Sequence, residues 1–412
     1  MPNVAIIHPI DPAGHVPSGI DAFIRGILKF APPDIHYTLF GATSDPVARP
    51  PGKLAKVVLG ERAIEYWPLV TMGARAERGL VPLTVRYMHA LRLARKQGLL
   101  TPYNILDFHR IEPSFLFYGD PRPKNVLLHQ DMSVIRDANS DILWRHAPWL
   151  YEWLERRAFG QMQKIFTVRQ SAVQRYRRLY PQFADRFAFI PTWVDSTVFA
   201  PSPSDSSRKL TRAALRSQIG ISPDAPLLVF VGRLDQQKDP LLLIESMKLS
   251  VAAVPNLHLA VVGDGVLRSR MQEAVRVSRL TAQVHFLGVR PAPEIADILR
   301  AADLYVLCSA YEGMPIAMLE ALATGTPVVS TDVGEVRLIV HDGINGQISA
   351  ARDPRSFADA ILRALNCTEI WRGAACEQAV SQYRPELVLE NVYANHRLQG
   401  GVRCAAATCT LS

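Results

Sequence analysis

Arg233 and Lys238 lie five residues apart in VFVGRLDQQKD (229–239), directly after an apolar run of strand type. Two cations so placed can take up the charge that grows on a departing diphosphate without help from a metal. The arginine offers a bidentate fork and the lysine a point charge. The same pair also reads as two solvated loop cations. A second stretch, SAYEGMPIAMLEALATG (309–325), puts Glu312 before a helix and Glu320 inside it. Free N–H groups and the dipole make the start of that helix an anion site. Carboxylates at this spacing can bracket a ligand, one accepting from sugar hydroxyls and the other from ribose hydroxyls. A buried Glu320 needs such partners. The alternative makes Glu312 a surface residue and Glu320 a structural salt-bridge partner.

These residues need elements to carry them. VAIIHPI is a short strand; the Pro/Gly-rich loop DPAGHVPSG and the helical IDAFIRGILKF follow it. HYTLFGA, YNILDFH, KNVLLHQ and KIFTV read as further strands. Between Pro191 and Asp224 the chain turns Pro/Ser-rich, which reads as a linker region. A second series then opens with PLLVFVG and continues through HLAVVG, VHFLG, DLYVLCS, TPVVSTD and GQISA, with helices between. Strand–helix alternation predicts an α/β chain with two doubly wound parallel sheets. Ligands of such sheets bind beyond the carboxyl ends of the strands. RPELVLENVYANHRLQ closes the chain as a helix, and the unperiodic tail GGVRCAAATCTLS reads as disordered. The expected domains are 1–195, rejoined by a helix over about 385–399, and 196–384, with the tail at 400–412.

A length of 412 residues suits two domains. The N-terminus MPNVAIIHPI has no basic region before a long apolar core, and no run reaches a membrane-spanning length. The expected setting is cytoplasmic, or peripheral at the inner face of a membrane. Cys308, Cys367, Cys376, Cys404 and Cys409 form no CxxC pair, so neither a disulfide framework nor a zinc site is expected. Net charge is +8. Up to Asp195 there are 25 Lys plus Arg against 17 Asp plus Glu; beyond it the counts are 21 and 21. The first half therefore meets something anionic, such as a membrane, or simply has a solubilising surface. It holds no nucleic-acid motif.

In order along the second half come G-R-L-x3-K-D, V-G-D-G, F-L-G, E-G-x-P-x4-E-A-x-A-x-G-x-P-V-V and D-G-x-N-G, each at a strand end. This series resembles glycosyltransferase family 4, retaining enzymes of GT-B architecture in which two Rossmann-like domains face each other across a cleft. The resemblance is dense from Pro226 to about Ile348 and looser before. It implies that Arg233 and Lys238 bind the donor diphosphate, that Glu312 contacts the donor sugar and that Glu320 binds the ribose. Gly313, Met314 and Ile316 match positions whose backbone amides meet sugar and phosphate. Gly263, Gly288 and Val289 fall near the nucleoside. In the first half, Ser18 and Gly19 match a loop at the donor phosphates, with Ser18 where the family usually has glycine. His129 matches the active-site histidine, and His109 and Glu112 match a strand end facing the cleft, where they touch acceptor or serve structure. Trp193 and Glu335 also stand where the family usually has glycine.

DILWRHAPWLYEWLERRAF mixes Trp144, Trp149 and Trp153 with Arg145, Arg156 and Arg157. It reads as an interfacial helix or as a core-facing one, and Pro148 argues against a single long helix. The function that the resemblance implies is retaining hexosyl transfer from a nucleotide-diphosphate sugar to an acceptor hydroxyl in polysaccharide or glycolipid assembly. The acceptor would be a saccharide or lipid-linked, and no metal or other cofactor is expected. A nucleotide-sugar epimerase or hydrolase, or a non-catalytic nucleotide-sugar binder, are the alternatives. A NAD-dependent dehydrogenase is more distant, because no G-x-G-x-x-G follows the first strand.

Overall fold

The computed structural model describes residues 1–14, 19–72, 82–129 and 148–401. Ser18, Trp144, Arg145 and the tail from residue 402, with Cys404 and Cys409, lie outside them. The chain forms two compact units. One is Met1–Pro191 together with the segment from Glu386 onward, and the other is Thr192–Pro385.

The first unit is built on an eight-stranded sheet in the order β3-β4-β2-β1-β5-β6-β7-β8. Its strands are β1 (Asn3–Ile7), β2 (His36–Thr43), β3 (Ala55–Leu59), β4 (Arg62–Thr71), β5 (Ile105–Phe108), β6 (Lys124–Leu128), β7 (Lys164–Thr167) and β8 (Phe187–Phe189). The central strands are nearly continuous apolar runs, as expected where both faces are covered. All the pairings are parallel except β3 with β4. That hairpin is absent from the sequence reading. Its signal was available, since Ile64, Tyr66 and Val70 alternate inward along β4, and Gly60, at φ 62°, makes the turn.

The closing helical segment is two helices, Pro385–Val388 and Glu390–Gln399, and not one. The second is tied into the first unit. Tyr393 donates to the Ile27 carbonyl at 3.0 Å, Arg397 pairs with Asp34 at 2.7 Å, and the Asn125 and Gln399 amides exchange hydrogen bonds.

The second unit has a six-stranded, all-parallel sheet in the order β11-β10-β9-β12-β13-β14. The strands are β9 (Leu227–Val231), β10 (His258–Val262), β11 (Val284–Gly288), β12 (Leu304–Leu307), β13 (Val328–Ser330) and β14 (Gly346–Ile348). Here the reading of 191–224 as linker needs correction, because Asp205–Gln218 is a helix. Ser204 caps it by accepting from the Ser207 amide at 3.1 Å, and the helix buries Leu215 and Arg216. Ser-rich composition hid a cap followed by good helix formers.

Arg216 is fully buried. Its guanidinium pairs with Asp303 at 2.8 Å and donates to the carbonyls of Ala225 and Ala301. Burial pushes its pKa down to about 10, against the pull of Asp303. Asp303 also accepts from the Leu227 amide at 2.8 Å, so this pair pins the helix to the start of β9. Asp303→Ala leaves a buried cation unpaired and is expected to cost about 3–5 kcal/mol, read as an earlier unfolding midpoint in urea.

Candidate functional site

The second unit brings four of the predicted residues to the carboxyl edge of its sheet. β9 and β12 are hydrogen-bonded neighbours, so the loops that follow them run side by side. The Ala310 amide donates to the Gln237 carbonyl at 2.8 Å, and the Cys308 thiol lies 3.1 Å from the Lys238 carbonyl oxygen. The helix Pro240–Ala253 starts immediately after the first loop. Asp239 caps it from the left-handed region at φ 45°, accepting from the Leu242 amide.

Lys238 and Glu312 meet directly, with Nζ 2.5 Å from Oε1. Ser309 donates its hydroxyl to the same oxygen at 2.7 Å, and Gln237 reaches Oε2 at 3.4 Å. Glu312 is 7% exposed, which excludes the surface alternative. Arg233 is more open, its side chain 55% exposed, and lies 3.1 Å from Asp235 and 3.2 Å from the Gln237 side chain. Asp235, Gln237 and Ser309 were missed from sequence. Their signal was their position inside the two stretches that carry the cations and the carboxylates.

Close packing of neighbouring loops makes two glycines obligatory. A Cβ on Gly263, after β10, would come within 1.9 Å of the Gly232 carbonyl oxygen. One on Gly334, at φ 56°, would come within 2.1 Å of the Gly313 oxygen. The Glu335 amide donates to that same oxygen at 2.9 Å, and Thr192 donates to the Met314 carbonyl at 3.2 Å. Gly288 ends β11 with φ 71°, and Val289 beside it is exposed. Gly313 is half-buried, Met314 is buried, and Ile316 begins the helix Ile316–Ala323.

Glu320 is half-buried in that helix. Among the described residues no cation lies within ion-pair distance of it. Burial, and then the like charge of Asp195, push its pKa up to about 7. The structural salt-bridge reading thus has no partner for it among the described residues. A neutralising or hydroxyl-donating ligand would relieve both effects.

In the first unit His8, His109 and His129 follow β1, β5 and β6, three adjacent strands. His109 Nδ1 lies 3.0 Å from His129 Nε2, and the two rings are stacked. Phe23, from the helix that Gly19 begins, meets His129 edge-on. His109 is 2% exposed and packs against His129, which favours the structural one of its two readings. Glu112 is held by Arg110 at 2.9 Å. Desolvation keeps all three histidines neutral, with His129 down to about 3. His8 was missed from sequence, where a single histidine after the first strand carries no signal of its own.

A separate surface lies on the helix Pro148–Phe159. Trp149 and Trp153 are 70% and 55% exposed on one side of it, and Arg157 stacks on both Trp153 and Tyr118. They do not face the core. Across the described residues no helix is long and apolar enough to cross a membrane.

The Glu320 shift has a defined sign. Its folded pKa lies above the unfolded value, so the native state binds more protons between about pH 4.5 and 7. Its contribution to stability is lost as pH rises through that window. Glu320→Gln is expected to gain on the parent by up to on the order of 3 kcal/mol above pH 8 and by little at pH 4. Melting curves across that range, without ligand, check it.

Comparison with known proteins places these loops in context. Residues 211–378 match the family model described as Glycosyl transferases group 1. A D-inositol 3-phosphate glycosyltransferase of Xylanimonas cellulosilytica is 37% identical over 198 residues, 46% of this chain and 45% of the relative. The same-named protein of Frankia alni is 33% identical over 214 residues, half of each chain. The chain thus spans about half the length of the curated relatives it matches. Among solved structures, sucrose-phosphate synthase from Thermosynechococcus elongatus superposes with a TM-score of 0.78 at 19% identity, covering 98% of this chain and all of the other. HepE of Anabaena, solved with UDP and glucose, gives 0.70 at 16% identity, over 95% and 98% of the two chains. The likeness to group 1 glycosyltransferases accordingly rests on residues 211–378, in a chain with the GT-B fold.

Proposed function

We propose that this protein is a glycosyltransferase that moves a hexosyl group from a nucleotide-diphosphate sugar to an acceptor hydroxyl, with retention at the anomeric carbon and without a metal. The observation that carries the reading is the joined pair of loops after β9 and β12, which holds Arg233, Lys238 and Glu312 together beside a helix N-terminus. Supporting it, HepE was solved with UDP-glucose, and starch synthase IV of Arabidopsis with ADP and acarbose. The bond from the anomeric carbon to the diphosphate oxygen breaks, and the bond to the acceptor oxygen forms on the same face. The acceptor proton passes to the departing phosphate oxygen. Arg233, Lys238 and the amides at the start of helix Ile316–Ala323 take up the leaving charge. Glu312 accepts from sugar hydroxyls and Glu320 from the ribose. Gly263, Gly288 and Val289 adjoin the nucleoside. In the first unit we assign His129 as a neutral hydrogen-bonding group needed for turnover, braced by His109.

For the setting, Trp149, Trp153, Arg156 and Arg157 have the composition of an interfacial helix, in the half of the chain that holds the excess positive charge. We propose peripheral contact of this helix with an anionic membrane, and a saccharide or lipid-linked acceptor.

A thermal-shift screen of UDP-, GDP- and ADP-sugars identifies the donor. With it, Arg233→Ala is expected to lower turnover about 10²–10³-fold while stability stays within about 0.5 kcal/mol, because the side chain is exposed. His129→Ala is expected to cut turnover as well. Near-parental transfer by Arg233→Ala removes the assignment. In flotation at low salt, the protein is expected to rise with phosphatidylglycerol vesicles but not with phosphatidylcholine alone. Trp149→Ala with Trp153→Ala should abolish this; flotation unchanged in that double variant rejects the helix as the contact.

A further inference from the structure

The cations assigned to the diphosphate already have anionic partners. Lys238 is bound to Glu312 at 2.5 Å, and Arg233 lies 3.1 Å from Asp235. A diphosphate that draws Lys238 toward itself takes a charged donor away from a buried carboxylate. Glu312 then keeps the Ser309 hydroxyl at 2.7 Å and the longer contact from Gln237 at 3.4 Å. Leaving a buried carboxylate short of donors is unfavourable. What arrives next to it decides the outcome. A sugar still attached to the diphosphate brings hydroxyl donors that replace the ammonium. A nucleoside diphosphate that has lost its sugar brings none.

We propose that Glu312 competes with the diphosphate for Lys238 and thereby sets the preference of the site for sugar-bearing donor over sugar-free product. Lys238 exchanges carboxylate for phosphate when donor binds. It returns to Glu312 once the sugar has left, which favours release of the nucleoside diphosphate. The inference rests on the donor-site reading above and adds a discrimination that this reading does not require. A carboxylate that only touched the sugar would raise donor affinity without lowering product affinity.

Calorimetric titration of the full chain tests this, with UDP, GDP and ADP and their glucose conjugates as probes. Glu312→Gln keeps the shape but removes the competing charge. It is expected to tighten the nucleoside diphosphate that the parent binds by about tenfold, a change of about 1.4 kcal/mol, while the sugar conjugate gains nothing or weakens. Ser309→Ala should act in the opposite direction. With one donor fewer, Glu312 depends more on Lys238, and the nucleoside diphosphate should bind more weakly. Equal shifts for both ligands in Glu312→Gln, or weaker nucleoside diphosphate binding in a variant whose melting curve stays cooperative, overturn the proposal. If the parent binds none of these probes, or Arg233→Ala leaves their affinity unchanged, the donor site itself is wrong and this inference goes with it.

Discussion

Lys238 and Glu312 are 74 residues apart in sequence and 2.5 Å apart in space, and the hydrogen-bonded pairing of β9 with β12 makes that possible. Parallel neighbours deliver their following loops to the same edge of the sheet. The rest of the second-unit site depends on how closely those loops can approach. Glycine at 263 and 334 lets backbone meet backbone where any side chain would collide with a carbonyl oxygen. The amide of Ala310 and the thiol of Cys308 then join one loop to the other. An ion pair held this way loses little conformational freedom when it forms, because both partners are already placed.

The two carboxylates of the site differ in surroundings and hence in chemistry. Glu312 is buried but satisfied by an ammonium, a hydroxyl and an amide. Burial desolvates Glu320 and Asp195 adds a like charge, so its pKa is pushed up to about 7. One carboxylate is paired with a protein cation, and the other has no such partner among the described residues. Environment, and not residue type, sets the two apart.

The first unit solves a related problem with histidines. Three adjacent strands end in imidazoles that burial keeps uncharged, and two of them, His109 and His129, lie within hydrogen-bond distance of each other. A helix from the end of the chain packs on this unit through buried polar contacts. Its His396 is fully buried, with Nδ1 2.7 Å from the Tyr37 hydroxyl and Nε2 3.4 Å from Asp107. Polar groups at that depth hold an element in one register, because a shifted helix would leave them unpaired.

Most of the architecture was legible because it rests on local patterns. Apolar runs marked eleven of the strands and the doubly wound class, and the order of motifs at strand ends marked the likeness to group 1 glycosyltransferases. Arg233, Lys238, Glu312 and Glu320 stood out as candidates through the motif series and the resemblance it carries, because type and spacing alone left the bland readings open. The β3–β4 hairpin and the helix Asp205–Gln218 escaped, the first because it departs from strand–helix alternation and the second because a serine cap looks like a linker. Sequence also could not say which charges meet. Pairing of Lys238 with Glu312, the like-charge approach of Asp195 to Glu320 and the packing of His109 against His129 all depend on long-range contacts. Residue type settles what a side chain can do; distance and desolvation settle which of those things it does, and both arise only when distant strands are packed together.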